Sequence, residues 1–317
     1  MRYLTIGAGP RRVSVSELCL GTMHFGTRTD ERTAYAILDR FLDAGGTFLD
    51  TANCYNVWLG GHGRESEQVL GRWLASRRAT DRMVVASKVG ARPRVAGELG
   101  EDGFQGLAPE VIKAEAAESV RTLGVERLGI LYAHYDDRRT PQAETVAGFG
   151  EAQASGLAAV IGASNHATWR IESGRALARQ AGVAGYECAQ QKHSYLYPLP
   201  GRRRADLATP ELLDYAADQP GFTVLAYSPL RAGGYADHDR LTDEYLHPGA
   251  RHRLAVLDRV AAELGATPNQ VVLAWLLGGA TPVIPVFGVS SVAQLDEVLA
   301  AVDLTLPEDA RADLDGA

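Results

Sequence analysis

Polar side chains stand where a series of short apolar segments end, and their types could transfer protons or bind a polar ligand. They are Asp50, Lys88, His134, Ser164 with Asn165, Gln190, and Tyr227 with Ser228. A single residue of this kind is often a helix cap, and Asp50 before Thr51 would fit that description. Six such positions in succession are better explained by a shared face, because the ends of parallel strands meet on one rim. The pattern therefore predicts one site that is assembled from many segments.

Tyr55 follows Asp50 by five residues, so it would lie on a loop above that rim and could reach inward. A phenol keeps its proton at neutral pH, since its ordinary pKa is about 10. A neighbouring cation makes the phenolate less unfavourable and brings that pKa nearer the working pH. Lys88 could supply this cation, Asp50 could hold it as an ion pair, and His134 could orient the group that receives the proton. These residues predict a general-acid site.

The segments that would position these residues alternate between short apolar runs and helical stretches. The runs show little alternation of polar and apolar residues, which is typical of parallel strands covered on both faces. We predict strands at residues 18–21, 47–50, 82–88, 128–134, 159–164, 186–190, 222–227 and 281–287. We predict the helices that follow them at residues 31–44, 65–77, from 109 onward, 141–155, 169–180, 210–218, 253–264 and 292–301.

Eight strand–helix units favour an α/β fold of the (β/α)₈ TIM-barrel class over an open doubly wound sheet. Such barrels commonly take about 250 residues, and this chain has 317. The surplus fits an N-terminal stretch before Leu18, a loop at 229–250 and an extra helix near 267–277. A linker or a shift in composition is not visible along the chain, so we expect one domain over residues 1–317.

The sequence YLTIGAGPRR at residues 3–12 looks like a strand that enters a dinucleotide-binding glycine loop. That fingerprint requires a third glycine where Arg12 stands, followed by a helix. Here another β-like run, VSVS at 13–16, follows instead. The pattern favours two short strands joined by a glycine turn, and a phosphate site is expected elsewhere.

Composition and charge argue against several classes of protein. The chain has 46% hydrophobic and 22% charged residues, which is typical of a globular protein. Its 32 basic and 39 acidic residues give a net charge of −7, and the basic residues are scattered, so nucleic-acid binding is not expected. Three widely spaced cysteines and eight histidines form neither a disulfide framework nor a zinc pattern, so a metal site is not expected.

The sequence also gives expectations for location and source. Apolar runs stay well short of the roughly 20 residues that span a bilayer, and the N-terminus lacks the apolar region of a signal peptide. We therefore expect a cytoplasmic protein without a membrane partner. The abundance of Ala, Gly and Arg indicates a GC-rich bacterial genome, and the sequence leaves open whether the protein is a monomer or a homo-oligomer.

Motifs along nearly the whole chain resemble those of the aldo-keto reductases. They are DTANCY at 50–55, GRESEQVLG at 63–71, VASK at 85–88, LYAHYD at 131–136, IGASN at 161–165, AYSPL at 226–230 and IPVFG at 284–288. The resemblance implies a barrel whose base is closed by an N-terminal β-hairpin, and NAD(P)H-dependent reduction of an aldehyde or ketone. It also implies that Asp50, Tyr55, Lys88 and His134 are catalytic, with Tyr55 as the proton donor.

The resemblance further implies that the nicotinamide cofactor binds across the barrel mouth. Ser164, Asn165 and Gln190 resemble the residues that hold the nicotinamide carboxamide, and His193 takes the position of the ring that stacks on it. Arg231 is the nearest cation for the pyrophosphate. The cofactor-binding residues expected in this way are Gly21, Thr22, Met23, Asp50, Ser164, Asn165, Gln190, His193, Tyr227, Ser228, Pro229, Leu230, Arg231, Gly288, Ser290, Gln294 and Glu297.

The segment after the last predicted strand is expected to take the adenosine half of the cofactor. Gly288 leads into a helix N-terminus, whose free N–H groups suit a phosphate. Ser290 and Gln294 resemble a pattern of NADP-binding members, whereas an arginine that could grip a 2′-phosphate bidentately is not found at this turn. We therefore expect NADPH to be preferred, with NADH possible.

The expected substrate is a small-molecule carbonyl compound, bound by loops at the barrel mouth. The candidate pocket residues are Phe25, Tyr55, Trp58, His134, Tyr135 and Tyr195. These aromatic residues have polar neighbours in the sequence, namely His24, Asn56 and Asp136. The combination favours a polar, sugar-like or natural-product carbonyl over a plain alkyl aldehyde.

Two other functions use the same residues. A barrel enzyme that forms a Schiff base on Lys88 needs an apolar pocket that lowers the pKa of the lysine, whereas Asp50 favours its charged form. The second alternative is a protein that retains nucleotide with little turnover, like the potassium-channel β-subunits that share this fold. The filled positions at Asp50, Tyr55, Lys88 and His134 favour an enzyme.

Overall fold

An antiparallel hairpin precedes the barrel in the computed structural model, which describes residues 1–95, 97–98, 100–199, 205–281 and 283–317. Its strands are β1 (Tyr3–Ile6) and β2 (Val13–Ser16). Gly7 begins the turn with φ of 87°, in the left-handed region that favours glycine. Ile6 and Val15 are buried in one apolar cluster with residues of the barrel interior. The predicted glycine turn and the predicted hairpin under the barrel are confirmed.

Eight parallel strands close into a barrel, which confirms the predicted (β/α)₈ class. They are β3 (Cys19–Gly21), β4 (Phe48–Asp50), β5 (Val84–Val89), β6 (Leu128–Ala133), β7 (Ala158–Ser164), β8 (Cys188–Lys192), β9 (Thr223–Tyr227) and β10 (Val283–Phe287). The ring closes where β10 pairs with β3, with Val286 opposite Cys19. The predicted strands agree to within two residues, although Pro282 in the last one and the basic loop at 201–204 lie outside the described residues.

Helices cover the barrel and extend beyond it. They are α1 (Glu31–Asp43), α2 (Glu65–Arg77), α3 (Pro109–Leu123), α4 (Gln142–Ala154), α5 (Thr168–Ala181), α6 (Pro210–Asp218), α7 (Pro248–Leu264), α8 (Pro268–Leu277), α9 (Val292–Ala300) and α10 (Glu308–Gly316). The extra helix predicted near 267–277 is α8, and Thr267 caps it with a capping box. Helix α7 begins five residues before the predicted start, because His247 caps it and Pro248 fills its first turn.

Successive strand residues face opposite sides of the sheet, and both sides are apolar. Cys19 and Phe48 belong to the interior cluster, whereas their neighbours Leu20 and Leu49 belong to the cluster beneath the helices. This two-sided burial explains why the strands appear in the sequence as continuous apolar runs. Since all eight strands run parallel, their carboxyl ends open on the same rim.

No helix within the described ranges is both long enough and apolar enough to span a bilayer. In that same part of the chain, no three His, Cys, Asp or Glu side chains are grouped so that they could hold a metal ion.

Candidate active site

The carboxyl ends of the barrel strands open into a cavity of about 1140 Å³. Pockets for single small molecules usually measure about 300–1,000 Å³, so this cavity is large enough for two ligands side by side. The expected residues that line it are Gly21, Met23, Phe25, Asp50, Tyr55, Trp58, Lys88, His134, Tyr135, Ser164, Asn165, Gln190, Tyr227, Ser228, Pro229, Leu230, Arg231, Gly288, Ser290, Gln294 and Glu297. The rim therefore gathers most of the residues that the sequence predicted for one site.

Lys88 lies at the centre of the hydrogen bonds around this site. Its side chain is 1% exposed, and Nζ donates to Asp50 Oδ1 at 2.5 Å, to the carbonyl oxygen of Thr51 at 2.8 Å and to Tyr55 Oη at 2.8 Å. The second carboxylate oxygen of Asp50 accepts from Gln190 Nε2 at 2.7 Å. All three hydrogens of the ammonium group are thus used, and one of them is held against the phenol oxygen.

The phenol of Tyr55 is half-buried and keeps its proton. Burial raises the pKa of Tyr55 well above 10, and the carboxylate of Asp50 raises it further. The predicted shift of this pKa towards neutrality is therefore not found, because desolvation and Asp50 together oppose the phenolate. Tyr55 is a hydrogen-bonded acid at neutral pH, and Lys88 contacts the oxygen on which negative charge would develop.

His134 directly follows β6 and lies beside the phenol. The rings of His134 and Tyr55 are edge to face, with centroids 6.1 Å apart. Burial, together with the charge of Lys88, lowers the pKa of His134 well below 6.5, so the ring is neutral at pH 7. Its Nδ1 lies 3.4 Å from the Sγ atom of Cys54. A neutral imidazole of this kind can donate one hydrogen bond to a ligand in the cavity.

Amide side chains form the wall next to the catalytic candidates. Asn165 has φ of 60°, and its Nδ2 donates to the carbonyl oxygen of His134 at 2.9 Å and to Ser164 Oγ at 3.1 Å. Its Oδ1 accepts from the hydroxyl of Tyr227 at 2.8 Å. Gln191, which the sequence analysis did not select, accepts from the backbone N–H of Asn165 at 2.6 Å. The wall is therefore fixed by hydrogen bonds among lining residues and, from outside the lining, by Gln191.

The far end of the cavity contains polar atoms that are ready for a ligand. Gln294 Oε1 accepts from the backbone N–H of Ser290 at 2.8 Å, which leaves the amide N–H₂ group of Gln294 available. Glu297 accepts from Asn269 Nδ2 at 3.1 Å. Asn269 Oδ1 is buried and has no hydrogen-bond partner among the described residues. Sequence reasoning missed Asn269, because it lies on α8 and belongs to none of the recognised motifs.

Three expected residues do not line the cavity. Thr22 is buried beneath it and donates to the carbonyl oxygen of Asp50 at 2.9 Å. His193 packs on Trp275 of α8 at 5.8 Å between ring centroids, and fully buried Tyr195 packs on the same ring at 5.6 Å. The segment after β8 therefore turns under α8 rather than towards the cavity. The structure contradicts the predictions that His193 stacks on the nicotinamide and that Tyr195 lines the substrate pocket.

Aromatic side chains surround the substrate end of the cavity. Tyr55 and Trp58 pair edge to face with centroids 6.0 Å apart, and Tyr135 pairs with Phe104 at 5.4 Å. Phe104 comes from the long loop after β5, where the sequence offers no motif. His24 is the one residue of the expected polar group that lines the cavity. Asn56 and Asp136 do not line it, and the carboxylate of Asp136 accepts from Arg170 at 2.8 Å.

The family model of the Aldo/keto reductase family matches residues 17–317. This chain belongs to the aldo/keto reductase family. The match covers every barrel strand, and it confirms the resemblance that the motifs carried. As a member of this family, the protein is an oxidoreductase of small carbonyl compounds. The family generally uses a nicotinamide cofactor.

Individual aldo/keto reductases and oxidoreductases are similar over most of the chain. An uncharacterized oxidoreductase of Bacillus subtilis is 33% identical, over 98% of this chain and 93% of its own length. A norsolorinic acid reductase of Emericella nidulans is 30% identical, over 94% of this chain and 76% of its own length. An aryl-alcohol dehydrogenase of Pestalotiopsis microspora is 27% identical, over 93% of this chain and 76% of its own length.

The cavity of this aldo/keto reductase fits a dinucleotide by its donor set as well as its volume. Amide groups stand beside the catalytic candidates, and at the other end the buried side-chain oxygen of Asn269 has no hydrogen-bond partner among the described residues. Between them, the loop after β9 holds Ser228 and Arg231 with φ of 53° and 49°. Non-glycine residues rarely adopt such angles, and they cluster at ligand sites. The lining therefore offers polar contacts along its whole length.

Proposed function

We propose that this protein is an NADPH-dependent reductase of an aldehyde or ketone, with Tyr55 as the proton donor. The observation that carries the proposal is the hydrogen bond from the buried Lys88 ammonium to Tyr55 Oη inside the large cavity. A cation paired with Asp50 and directed at a protonated phenol has a clear use in acid catalysis. The proposed catalytic residues are Asp50, Tyr55, Lys88 and His134.

The cofactor, when bound, supplies the hydride that reduces the carbonyl carbon. Tyr55 transfers its proton to the carbonyl oxygen, and Lys88 stabilises the phenolate oxygen by the hydrogen bond that it already donates. Asp50 keeps Lys88 charged and in place. His134 donates an N–H to the same carbonyl oxygen and orients it towards Tyr55. A positioned acid of this kind contributes roughly 10²–10⁴-fold to the rate.

The residues proposed to hold the cofactor extend from the wall beside the catalytic candidates to the far end of the cavity. Ser164, Asn165 and Gln190 would contact the carboxamide of the nicotinamide, and residues 227–231 would cover the pyrophosphate. The amide of Gln294 and the hydroxyl of Ser290 would contact the adenosine phosphate. Because these groups are neutral donors, we expect NADPH to bind more tightly than NADH without excluding it.

Replacing Ser290 with aspartate tests this cofactor assignment. A carboxylate at this position would repel a 2′-phosphate, so S290D should weaken NADPH selectively and leave NADH affinity close to that of the wild type. Ser290→Ala is the matched control without the charge. Titration by fluorescence quenching gives both affinities. Unchanged binding of both cofactors by S290D, or wild-type affinity for NADH equal to that for NADPH, would refute the assignment.

For the substrate, we propose a natural-product carbonyl that carries an aromatic ring. The support is the aromatic lining from Trp58, Phe104 and Tyr135 around Tyr55, whereas only His24 of the expected polar group lines the cavity. Two of the similar proteins are named after an aromatic alcohol and norsolorinic acid. The sugar-like alternative is less well supported, because Asn56 and Asp136 do not reach the cavity.

A panel of carbonyl compounds tests this proposal. Aryl aldehydes, aryl ketones and reducing sugars would be compared by the loss of NADPH absorbance. We expect the largest kcat/KM for aryl carbonyls. Phe104→Ala should lower the kcat/KM for aryl carbonyls more than it lowers the kcat/KM for sugars. Higher kcat/KM for sugars would contradict the substrate class, and tight nucleotide binding without turnover would favour the nucleotide-retaining alternative.

The cytoplasmic location, the bacterial source and the single domain stay predictions.

A further inference from the structure

A cysteine thiol in the cavity wall contacts His134. Cys54 is 2% exposed and packs with Ala52 and Ala91. Its Sγ lies 3.4 Å from His134 Nδ1, within hydrogen-bond distance for sulfur. Burial raises the pKa of Cys54 to about 12, so the sulfur carries its hydrogen at neutral pH. The thiol is therefore a neutral group that can donate or accept a hydrogen bond.

The tautomer of His134 decides what the ring can offer a substrate. A neutral imidazole carries one hydrogen, on either Nδ1 or Nε2. Since Nδ1 faces Cys54, Nε2 is the nitrogen available to a ligand. A carbonyl oxygen only accepts hydrogen bonds, so Nε2 must carry the hydrogen if His134 is to orient the carbonyl. Nδ1 is then an acceptor and needs a donor.

The surroundings of Nδ1 favour this arrangement. Histidine that carries its hydrogen on Nδ1 usually donates it to a carbonyl or carboxylate oxygen. Among the hydrogen bonds of the described residues, Nδ1 of His134 has the sulfur of Cys54 instead. An imidazole nitrogen is a better acceptor than a thiol sulfur, which is a weak one. The bond is therefore better satisfied when S–H donates to Nδ1.

We infer that Cys54 is a positioning residue whose thiol donates to Nδ1 of His134 and so holds the hydrogen of the ring on Nε2. This inference rests on the proposed function, in which Nε2 contacts the carbonyl oxygen. Cys54 itself does not touch the reacting atoms. It acts by fixing which edge of the histidine is the donor.

Variants at Cys54 can separate the hydrogen bond from packing. Cys54→Ser keeps a donor at the same position. Cys54→Val removes the donor but fills the space of the thiol, and Cys54→Ala removes the donor and leaves that space empty. Cys188→Ala is the matched control, since Cys188 is also a buried barrel cysteine and the described contacts of His134 do not include it. Thermal unfolding of each variant shows whether the fold is kept, and the alanine variant replaces the valine variant if the latter does not fold.

The direct readout is the ¹⁵N spectrum of His134 in histidine-labelled protein, assigned by comparison with His134→Gln. Wild type, C54S and C188A should show a protonated Nε2 and an unprotonated Nδ1, while C54V and C54A should shift towards protonated Nδ1. The single-turnover rate of carbonyl reduction should fall about 3- to 10-fold in C54V, as expected for the loss of one hydrogen bond. It should recover in C54S, with NADPH affinity unchanged throughout.

Two results would overturn the inference. One is an unchanged His134 tautomer in both C54V and C54A, and the other is a changed tautomer with a wild-type reduction rate. Failure of the proposed function gives a different result, because His134→Gln would then reduce carbonyls as fast as the wild type, whatever the spectra of the Cys54 variants show.

Discussion

Lys88→Met removes the ammonium group from the centre of the site and keeps most of the apolar stem. Three hydrogen bonds are lost, to Asp50, to the Thr51 carbonyl oxygen and to Tyr55. Lys88 and Asp50 are both almost fully buried. The carboxylate would therefore be left in the barrel without its counterion.

Two effects follow, and their magnitudes can be worked out separately. Breaking a buried ion pair by removing one partner typically costs about 3–5 kcal/mol of stability. The chemical rate should fall by roughly 10²–10⁴-fold, the value of a positioned acid, because Tyr55 loses the cation that stabilises its phenolate. The remaining Asp50 charge, 3.5 Å from Tyr55 Oη, would oppose the phenolate as well.

The double variant Asp50→Asn, Lys88→Met separates the two effects. Its neutral amide removes the unpaired charge, so we expect most of the free energy of unfolding to return while the rate stays low. Urea unfolding and single-turnover reduction with saturating NADPH measure these quantities. Lys192→Met is the matched control, since Lys192 and Asp206 are partly exposed and 3.3 Å apart, and such pairs contribute about 0–1 kcal/mol.

Three outcomes would refute this reasoning. If K88M were as stable as the wild type, Lys88 and Asp50 would not form a buried ion pair. If the double variant recovered the chemical rate, Lys88 would act only by neutralising Asp50. If K192M lost as much stability as K88M, burial would not determine the cost.

Two further predictions concern stability. Gly71→Ala should lower the free energy of unfolding by about 1–3 kcal/mol in urea titrations, because a Cβ would lie 2.3 Å from the carbonyl oxygen of Thr122. Gly316→Ala is the control and should not lower it, since the space around Gly316 is open. Equal losses in the two variants would contradict this packing argument. Burial lowers the pKa of His193 to about 4, and the nearby Arg231 and Arg253 contribute to this shift. As the pH falls below 6.5, the histidine therefore binds a proton in the unfolded chain before it does so in the folded protein. Between pH 7 and pH 4, the free energy of unfolding of the wild type should therefore fall by about 3 kcal/mol more than that of His193→Gln. Parallel curves of stability against pH for the two proteins would refute this prediction.

Much of the fold could be predicted because each strand–helix unit is encoded locally. Strand β4 and helix α2, for example, are marked by a short apolar run and by a helical stretch whose predicted bounds, 65–77, are those of the structure. Helix α10 was not predicted, since its buried residues are only Ala310 and Leu314. Two apolar positions are too few to show a helical period.

The site could be predicted where its residues end a strand, and not where they depend on the path of a loop. Asp50, Lys88 and Gln190 face the cavity because barrel geometry leaves a strand end little choice. His193 follows a strand just as closely, yet it packs beneath Trp275 of a helix more than 80 residues later in the chain. Phe104 and Asn269 also reach the cavity through contacts with residues in other segments, Tyr135 and Glu297, which a single sequence does not show.

The chemical rate of Tyr55→Phe tests the central claim most directly. This variant removes one hydroxyl and keeps the ring that packs against Trp58 and His134, so the fold and the affinity for NADPH should survive. Single-turnover reduction with saturating NADPH should be slower by roughly 10²–10⁴-fold, and adding Lys88→Met should slow it little further because Lys88 acts through Tyr55. A Tyr55→Phe protein that kept most of the wild-type rate would contradict the account, since His134 or a water molecule would then have to supply the proton.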